Sequence, residues 1–258
     1  MTTDSYAVVP FHIGEERFWS RGAELAGLAG RLAGEAVEES GGRARVAGCL
    51  PPVFGSYEPD RFDPGSVGKY LDVLVKALDQ HVDFWLGETL SLISEGEAVL
   101  AATKGTGKGV WVSFCPDDSE GASTSEPRLR SGETIAEVAR WALRKGKEIE
   151  VLAFNCCRPE FIDAALDATV KVFEESKAKD AERRLPRLGV YANAFVPRSN
   201  EYAANEDVAK TDEELTPEAY AKVAVRWREK GAEIVGGCCG IGHEHIRAVA
   251  AALTEDET

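Results

Sequence analysis

Six short apolar segments, most of them followed by an amphipathic helical pattern, predict an α/β chain of the (β/α)8 TIM-barrel type with six strands visible. Three observations carry this expectation. Strands and helices alternate strictly, which implies parallel pairing through right-handed crossovers. The strands are short and apolar along their whole length, as they are when both faces of a sheet are covered. The unusual polar and sulfur-bearing residues collect at strand ends: Cys49, Glu88, Cys115, Asn155-Cys156-Cys157, Asn193 and Cys238-Cys239. A barrel puts its chemistry there. The rival open sheet binds phosphate through a Gly-rich turn after its first strand. No such turn follows Arg45 to Leu50, and no P-loop occurs.

In chain order, Ser5 to Gly14 reads as a loop around Pro10. Glu15 to Ser40 has helical period, with Leu25, Leu28, Ala29, Leu32 and Ala36 on one face, and Gly41-Gly42 ends it. Arg45 to Leu50 is a strand stopped by Pro51-Pro52. Ser66 to Gln80 is a helix with Val67, Tyr70, Leu71, Leu74 and Leu78 inward. Val82 to Glu88 is a strand, Ser94 to Thr103 a helix, and Val110 to Cys115 a strand. Pro116 to Gly132, rich in Ser, Asp, Glu and Gly, reads as a surface loop. Thr134 to Lys145 is a helix that Gly146 closes with a left-handed cap. Glu150 to Asn155 is a strand, and Pro159 opens a helix from Glu160 to Lys177. Leu188 to Asn193 is a strand, followed by a long polar loop from Pro197 to Leu215. Thr216 and Pro217 start a helix that ends at Lys230-Gly231. Ile234 to Cys238 is the last strand, and His243 to Leu253 the last helix.

The chain has 258 residues, a length ordinary for one barrel domain, and we read residues 1–258 as one. Its net charge of -14 argues against nucleic acid or an anionic membrane as partner and fits a protein acting on small molecules. No apolar run approaches the length that spans a bilayer. Residues 1–10 lack a basic region followed by an apolar core, so a cytoplasmic location is expected. In that reducing compartment, six cysteines bind metal or do chemistry more often than they pair.

Cys238 and Cys239 sit between glycines where a strand gives way to a helix. Two adjacent thiols there are either small buried side chains, a strained vicinal disulfide, or ligands for a soft metal. Asn155-Cys156-Cys157 ends a strand two before, so the groups converge across a barrel mouth, which favours the metal. Three thiolates with one open position match a catalytic zinc rather than a closed structural one. Of Cys156 and Cys157 only one is expected to be a ligand, because successive strand residues point opposite ways. Cys49 and Cys115 read as small buried hydrophobes. Glu88 is either an N-cap or a counter-charge for a substrate ammonium; its position favours the second. His245 is read as structural rather than as a fourth ligand.

These pieces resemble the homocysteine S-methyltransferase family, zinc-dependent barrels that methylate the thiol of homocysteine. Phe154-Asn155-Cys156 and Gly237-Cys238-Cys239-Gly240, followed by His245-Ile246, carry the resemblance. Ala47-Gly48-Cys49-Leu50-Pro51-Pro52, Gly87-Glu88-Thr89 and Gly189-Val190-Tyr191-Ala192-Asn193 support it. The resemblance implies Zn2+ held by Cys156, Cys238 and Cys239, with Glu88 and Asn155 as substrate-binding residues. It implies methyl transfer from S-methylmethionine or S-adenosylmethionine to homocysteine, and so methionine biosynthesis. Betaine or a folate as donor, and a zinc-binding barrel without activity, are the alternatives. The family's opening Asp-Gly-Gly-type strand has no counterpart here. Strand count and resemblance agree that an N-terminal strand-helix-strand is absent, which would leave open edges on the strands Arg45 to Leu50 and Ile234 to Cys238.

Overall fold

A computed structural model describes residues 1–196 and 211–255. The expected polar loop from Pro197 lies for the most part outside the described residues. Among the described residues six strands form, in the sheet order in which they occur in the chain: β1-β2-β3, then β4-β5-β6. The expected α/β class with six parallel strands is therefore what the chain adopts. It forms two compact units, one of Met1–Ser113 with Glu148–Glu150 and one of Phe114–Lys147 with Val151–Thr258.

In the first unit β1 (Ala47–Leu50) pairs in parallel with β2 (Phe84–Leu90), Cys49 opposite Leu86 and Leu50 opposite Gly87. β3 starts at Gly109 and ends at Phe114. Two expectations need correction. Residues Pro10–Ile13 are a single helical turn, α1, rather than loop. Pro10 supplies the φ that a first helical residue requires, and Gly14, at φ 81, ends the turn. The outer edge of β1 is also not bare. Thr2 bridges Ala47 in parallel, with the Ala47 amide donating to the Met1 carbonyl (2.7 Å) and the Thr3 amide to the Ala47 carbonyl (3.0 Å).

α2 (Glu15–Glu39) is the expected helix, but it turns another face inward. It buries Phe18, Gly22, Ala26, Ala29, Gly30, Ala33 and Val37, while Leu28 and Leu32 are 36% and 52% exposed. The cause is close approach to the following helix. A Cβ on Gly30 would lie 2.8 Å from the His81 Cβ and 3.1 Å from Leu78, so only small residues fit. Following it, α3 (Val67–Leu78) buries all five residues expected of it. α4 (Ile93–Thr103) completes the unit. Glu88 lies inside β2 and not at a helix start, which removes the N-cap reading.

In the second unit β4 (Val151–Asn155), wholly buried, pairs with β5 (Arg187–Tyr191), which pairs with β6 (Ile234–Val235). α5 (Ile135–Lys145) starts with a capping box of Thr134 and Glu137. Gly146 at its end has a positive φ of 58, but its ψ of -111 lies outside the left-handed helical region, so the expected left-handed cap does not form. α6 (Pro159–Lys179), α7 (Pro217–Glu229) and α8 (His243–Glu255) follow. The Thr216 hydroxyl caps α7 by accepting from the Ala219 amide (3.3 Å). β6 is shorter than expected. The ladder nevertheless continues, with the Gly236 amide donating to Val190 and the Cys238 amide to Ala192, both at 2.9 Å. Cys238 and Cys239 therefore stand in a turn registered against β5 rather than at a strand end. Among the described residues, no helix is long and apolar enough to cross a membrane.

Candidate metal centre

Cys156 follows the last residue of β4 and has φ 56, a left-handed conformation uncommon for a residue with a side chain. Such a conformation costs on the order of 1–3 kcal/mol and persists where neighbours over-determine it. Here they do. The Cys156 amide donates to the Tyr191 carbonyl (3.1 Å), and the Asn193 amide to the Cys157 carbonyl (3.0 Å). The Cys115 thiol donates to the Cys156 carbonyl (3.4 Å). The turn at the end of β4 is thus tied to Cys115 and to β5, and it aims the Cys156 sulfur toward Cys239.

On the other side, Tyr220 of α7 is fully buried and joins the ends of β5 and β6. Its hydroxyl donates to the Gly236 carbonyl (2.8 Å) and accepts from the Ala192 amide (3.2 Å). Beyond it the Ile241 amide closes the turn onto the Cys238 carbonyl (3.0 Å), and Cys239 accepts from the Ala194 amide (2.9 Å). Gly240, at φ 79, takes the backbone into α8.

These constraints bring three sulfurs together. Cys156 to Cys239 and Cys238 to Cys239 are each 3.8 Å, and all three sulfurs lie within 4.8 Å of one another. A tetrahedral zinc with bonds of about 2.3 Å to sulfur requires thiolates about 3.8 Å apart, so the separation fits. No other group of three such ligand atoms occurs among the described residues. The cluster is buried at Cys156 and opens at Cys239, so a fourth position faces outward. Hydrogen bonds from Cys238 and Cys239, then burial, push the Cys156 thiol well above the ordinary thiol range. Without a metal the Cys156 thiol keeps its proton; a metal must displace it, and is held better as pH rises.

The Asn155 side-chain amide approaches the Cys238 sulfur at 4.0 Å. Cys157, fully buried, is not in the cluster; only Cys156 of this pair joins it. Burial holds its thiol protonated and pushes that of Cys115 up to about 12. His245 is structural. Its Nδ1 accepts from the Gly242 amide (3.2 Å), which leaves Nε2 to donate to the Leu215 carbonyl (3.0 Å). Glu88, half-buried in the first unit, accepts from the Cys49 thiol (3.2 Å). Cys49 is thus more than a small hydrophobe.

Comparison with known proteins places the chain. The family model for homocysteine S-methyltransferase matches residues 1–253. The chain belongs to the homocysteine S-methyltransferase family. It is 30% identical over 259 residues to the betaine-homocysteine S-methyltransferase of Drosophila melanogaster, covering 89% of this chain and 70% of that protein. It is 25% identical over 264 residues to homocysteine S-methyltransferase 4 of Zea mays, covering 94% of this chain and 69% of that one. In fold it is similar to the homocysteine methyltransferase MmuM of Escherichia coli. The oxidized form superposes with a TM-score of 0.66 at 23% identity, and the metallated form with 0.65 at 22%, each covering 97% of this chain and 78% of MmuM. The family gives the three-cysteine cluster its context: these are enzymes of methyl transfer to homocysteine.

Two features of the site escape sequence reasoning. Tyr220 is one more apolar position in a helical period. Asp118 and Arg130 lie in the stretch expected to be a plain surface loop, yet they pair with each other at 2.8 Å. Burial pushes the Asp118 carboxyl up, against the pull of Arg130 and Arg158. The pair Asp117-Asp118, shortly after a strand, is a signal that the sequence offers.

Proposed function

We propose that this protein transfers a methyl group from a sulfonium donor, S-methylmethionine or S-adenosylmethionine, to the sulfur of homocysteine. Cys156, Cys238 and Cys239 would hold a zinc ion for this reaction. The observation that supports this reading is the spacing of the three sulfurs in a chain of this family. Bound there, zinc would supply one thing: a substrate thiol in the remaining position loses its proton at neutral pH. The chain's own residues do the rest. The Asn155 amide holds the Cys238 sulfur in place and borders the homocysteine site. The Glu88 carboxylate, oriented by the Cys49 thiol, receives the substrate ammonium. The homocysteine sulfur attacks the donor methyl in line. The S–CH3 bond of the sulfonium breaks, its electron pair stays with the departing sulfide, and methionine forms. The thiol proton goes to solvent. Holding the reacting atoms in line is the protein's main contribution to rate.

The name of the Drosophila relative favours betaine as a second reading, in which a quaternary ammonium gives up the methyl and departs as a tertiary amine. Zinc-loaded protein incubated with homocysteine and each donor in turn separates the two. Methionine from a sulfonium donor supports the first reading; methionine from betaine alone replaces it with the second. No methionine from any donor, with zinc bound, overturns both.

The Glu88→Gln variant removes the negative charge while keeping its shape. We expect it to weaken homocysteine binding about tenfold, the scale of one charged hydrogen bond, and to leave zinc content unchanged. Calorimetric titration of homocysteine checks this, and unaltered affinity would take Glu88 out of the site.

A further inference from the structure

Asp118 lies in the stretch 116–132, just past β3, and its side chain is 15% exposed. Its Oδ2 accepts from the backbone amide of Arg158 (3.1 Å), and its carbonyl from the Arg158 Nη2 (3.2 Å). Its Oδ1 takes the Arg130 Nη2 (2.8 Å). The loop is itself braced: Pro116 bridges Leu129, and the Asp117 amide donates to the Arg128 carbonyl (2.8 Å). A carboxylate taken this far from water needs such partners. They fix it against the backbone two residues after Cys156.

That position matters because Cys156 is held at φ 56. Residues Cys156 and Cys157 span the gap between β4 and the start of α6. On one side the gap is pinned by Tyr191 and Asn193 of the β5 end. On the other it is pinned through Arg158, the N-cap residue of α6, whose side chain makes no cap hydrogen bond but pairs with Glu160 of that helix. Release at Arg158 would let the turn relax toward ordinary φ values. The Cys156 sulfur would then leave its 3.8 Å separation from Cys239.

We infer that Asp118 is a positioning residue for the metal site: by tying Arg158 to the braced loop it holds Cys156 in the left-handed conformation that presents its sulfur to the cluster. This rests on the reading that the three cysteines bind zinc. Partners one step removed from metal ligands typically set affinity by about 10- to 100-fold.

The test compares Asp118→Ala and Asp118→Asn with Asp163→Ala. Asp163 of α6 pairs with Arg226 and Lys230, so its loss also removes ion pairs, but none that touch the cluster. Zinc dissociation constants are measured by chelator competition at a temperature where circular dichroism shows each protein folded. The absorption spectrum of the cobalt-substituted protein reports the geometry of the sulfurs. We expect Asp118→Ala to weaken zinc about 10- to 100-fold and to alter the cobalt spectrum. Asp118→Asn, which keeps an oxygen for the Arg158 amide, should lose less. Asp163→Ala should lower Tm without moving either readout. Folded Asp118 variants that bind zinc as tightly as wild type overturn the inference alone. A wild-type chain that binds no zinc overturns the reading beneath it as well.

Discussion

Cys239→Ser should abolish stoichiometric zinc, taking the protein from about one ion per chain to nearly none after dialysis against a weak chelator. Cys239 lies 3.8 Å from each of the other two sulfurs. A serine hydroxyl does not ionise near neutral pH, so the variant offers two thiolates and a weak neutral oxygen, a poor set for a soft-preferring ion. Cys239 is exposed, so the change leaves the core intact, and the metal-free protein should unfold within about 0.5 kcal/mol of wild type. Methyl transfer should fall by several orders of magnitude, because a homocysteine thiol of ordinary pKa stays mostly protonated at neutral pH. Cys157→Ala serves as the contrast. It alters a buried thiol outside the cluster and should keep its zinc. Metal analysis of both variants by mass spectrometry decides the matter. Full zinc in Cys239→Ser would show that the cluster is not the metal site.

The parts of this site that sequence made legible are those where residue type alone limits the chemistry. Soft thiols next to glycines at the ends of apolar segments have few uses, so a sulfur cluster is legible from residue type, while the choice of Cys156 over Cys157 comes from the family resemblance. The barrel-type alternation is legible for the same reason: period and punctuation survive without knowledge of neighbours. What the sequence hid depends on which neighbour comes close. The inward face of α2 is set by the backbone's approach at Gly30, and leucines that look like core at 28 and 32 end in solvent. β6 reads as five residues because its hydrogen bonds continue past its regular geometry. Thr2 completes the edge of β1 from 45 residues away, which no local pattern signals. The buried Asp118–Arg130–Arg158 group has loop composition, and only its tertiary partners distinguish it from solvated charge. Local rules fail mostly where long-range backbone contacts take over, and two of those places, the 116–132 stretch and the end of β6, border the metal centre.

The turn between β6 and α8 should be as sensitive as the ligands themselves. A Cβ built on Gly237 would stand 2.2 Å from the Ile241 Cγ2 and 2.6 Å from its Cβ, well inside van der Waals contact. Gly237→Ala must therefore drive Ile241 outward. The amide of Ile241 closes the turn on the Cys238 carbonyl at 3.0 Å, so displacing it opens the loop that carries Cys238 and Cys239. We expect a stability loss of about 1–3 kcal/mol, the range for overpacking a filled site. Zinc should weaken by at least about tenfold, since misplaced ligands cost a metal site as much as weakened second-layer support does. Rescue tests the cause. In Gly237→Ala combined with Ile241→Gly, both offending atoms are gone, and zinc affinity should recover most of what the single variant lost. Residues in contact show such coupling, and distant ones do not. Chelator competition on wild type, both single variants and the double variant measures it. Additive losses would mean that the alanine acts through backbone stiffness at position 237, and that Ile241 does not shape the turn holding Cys238 and Cys239.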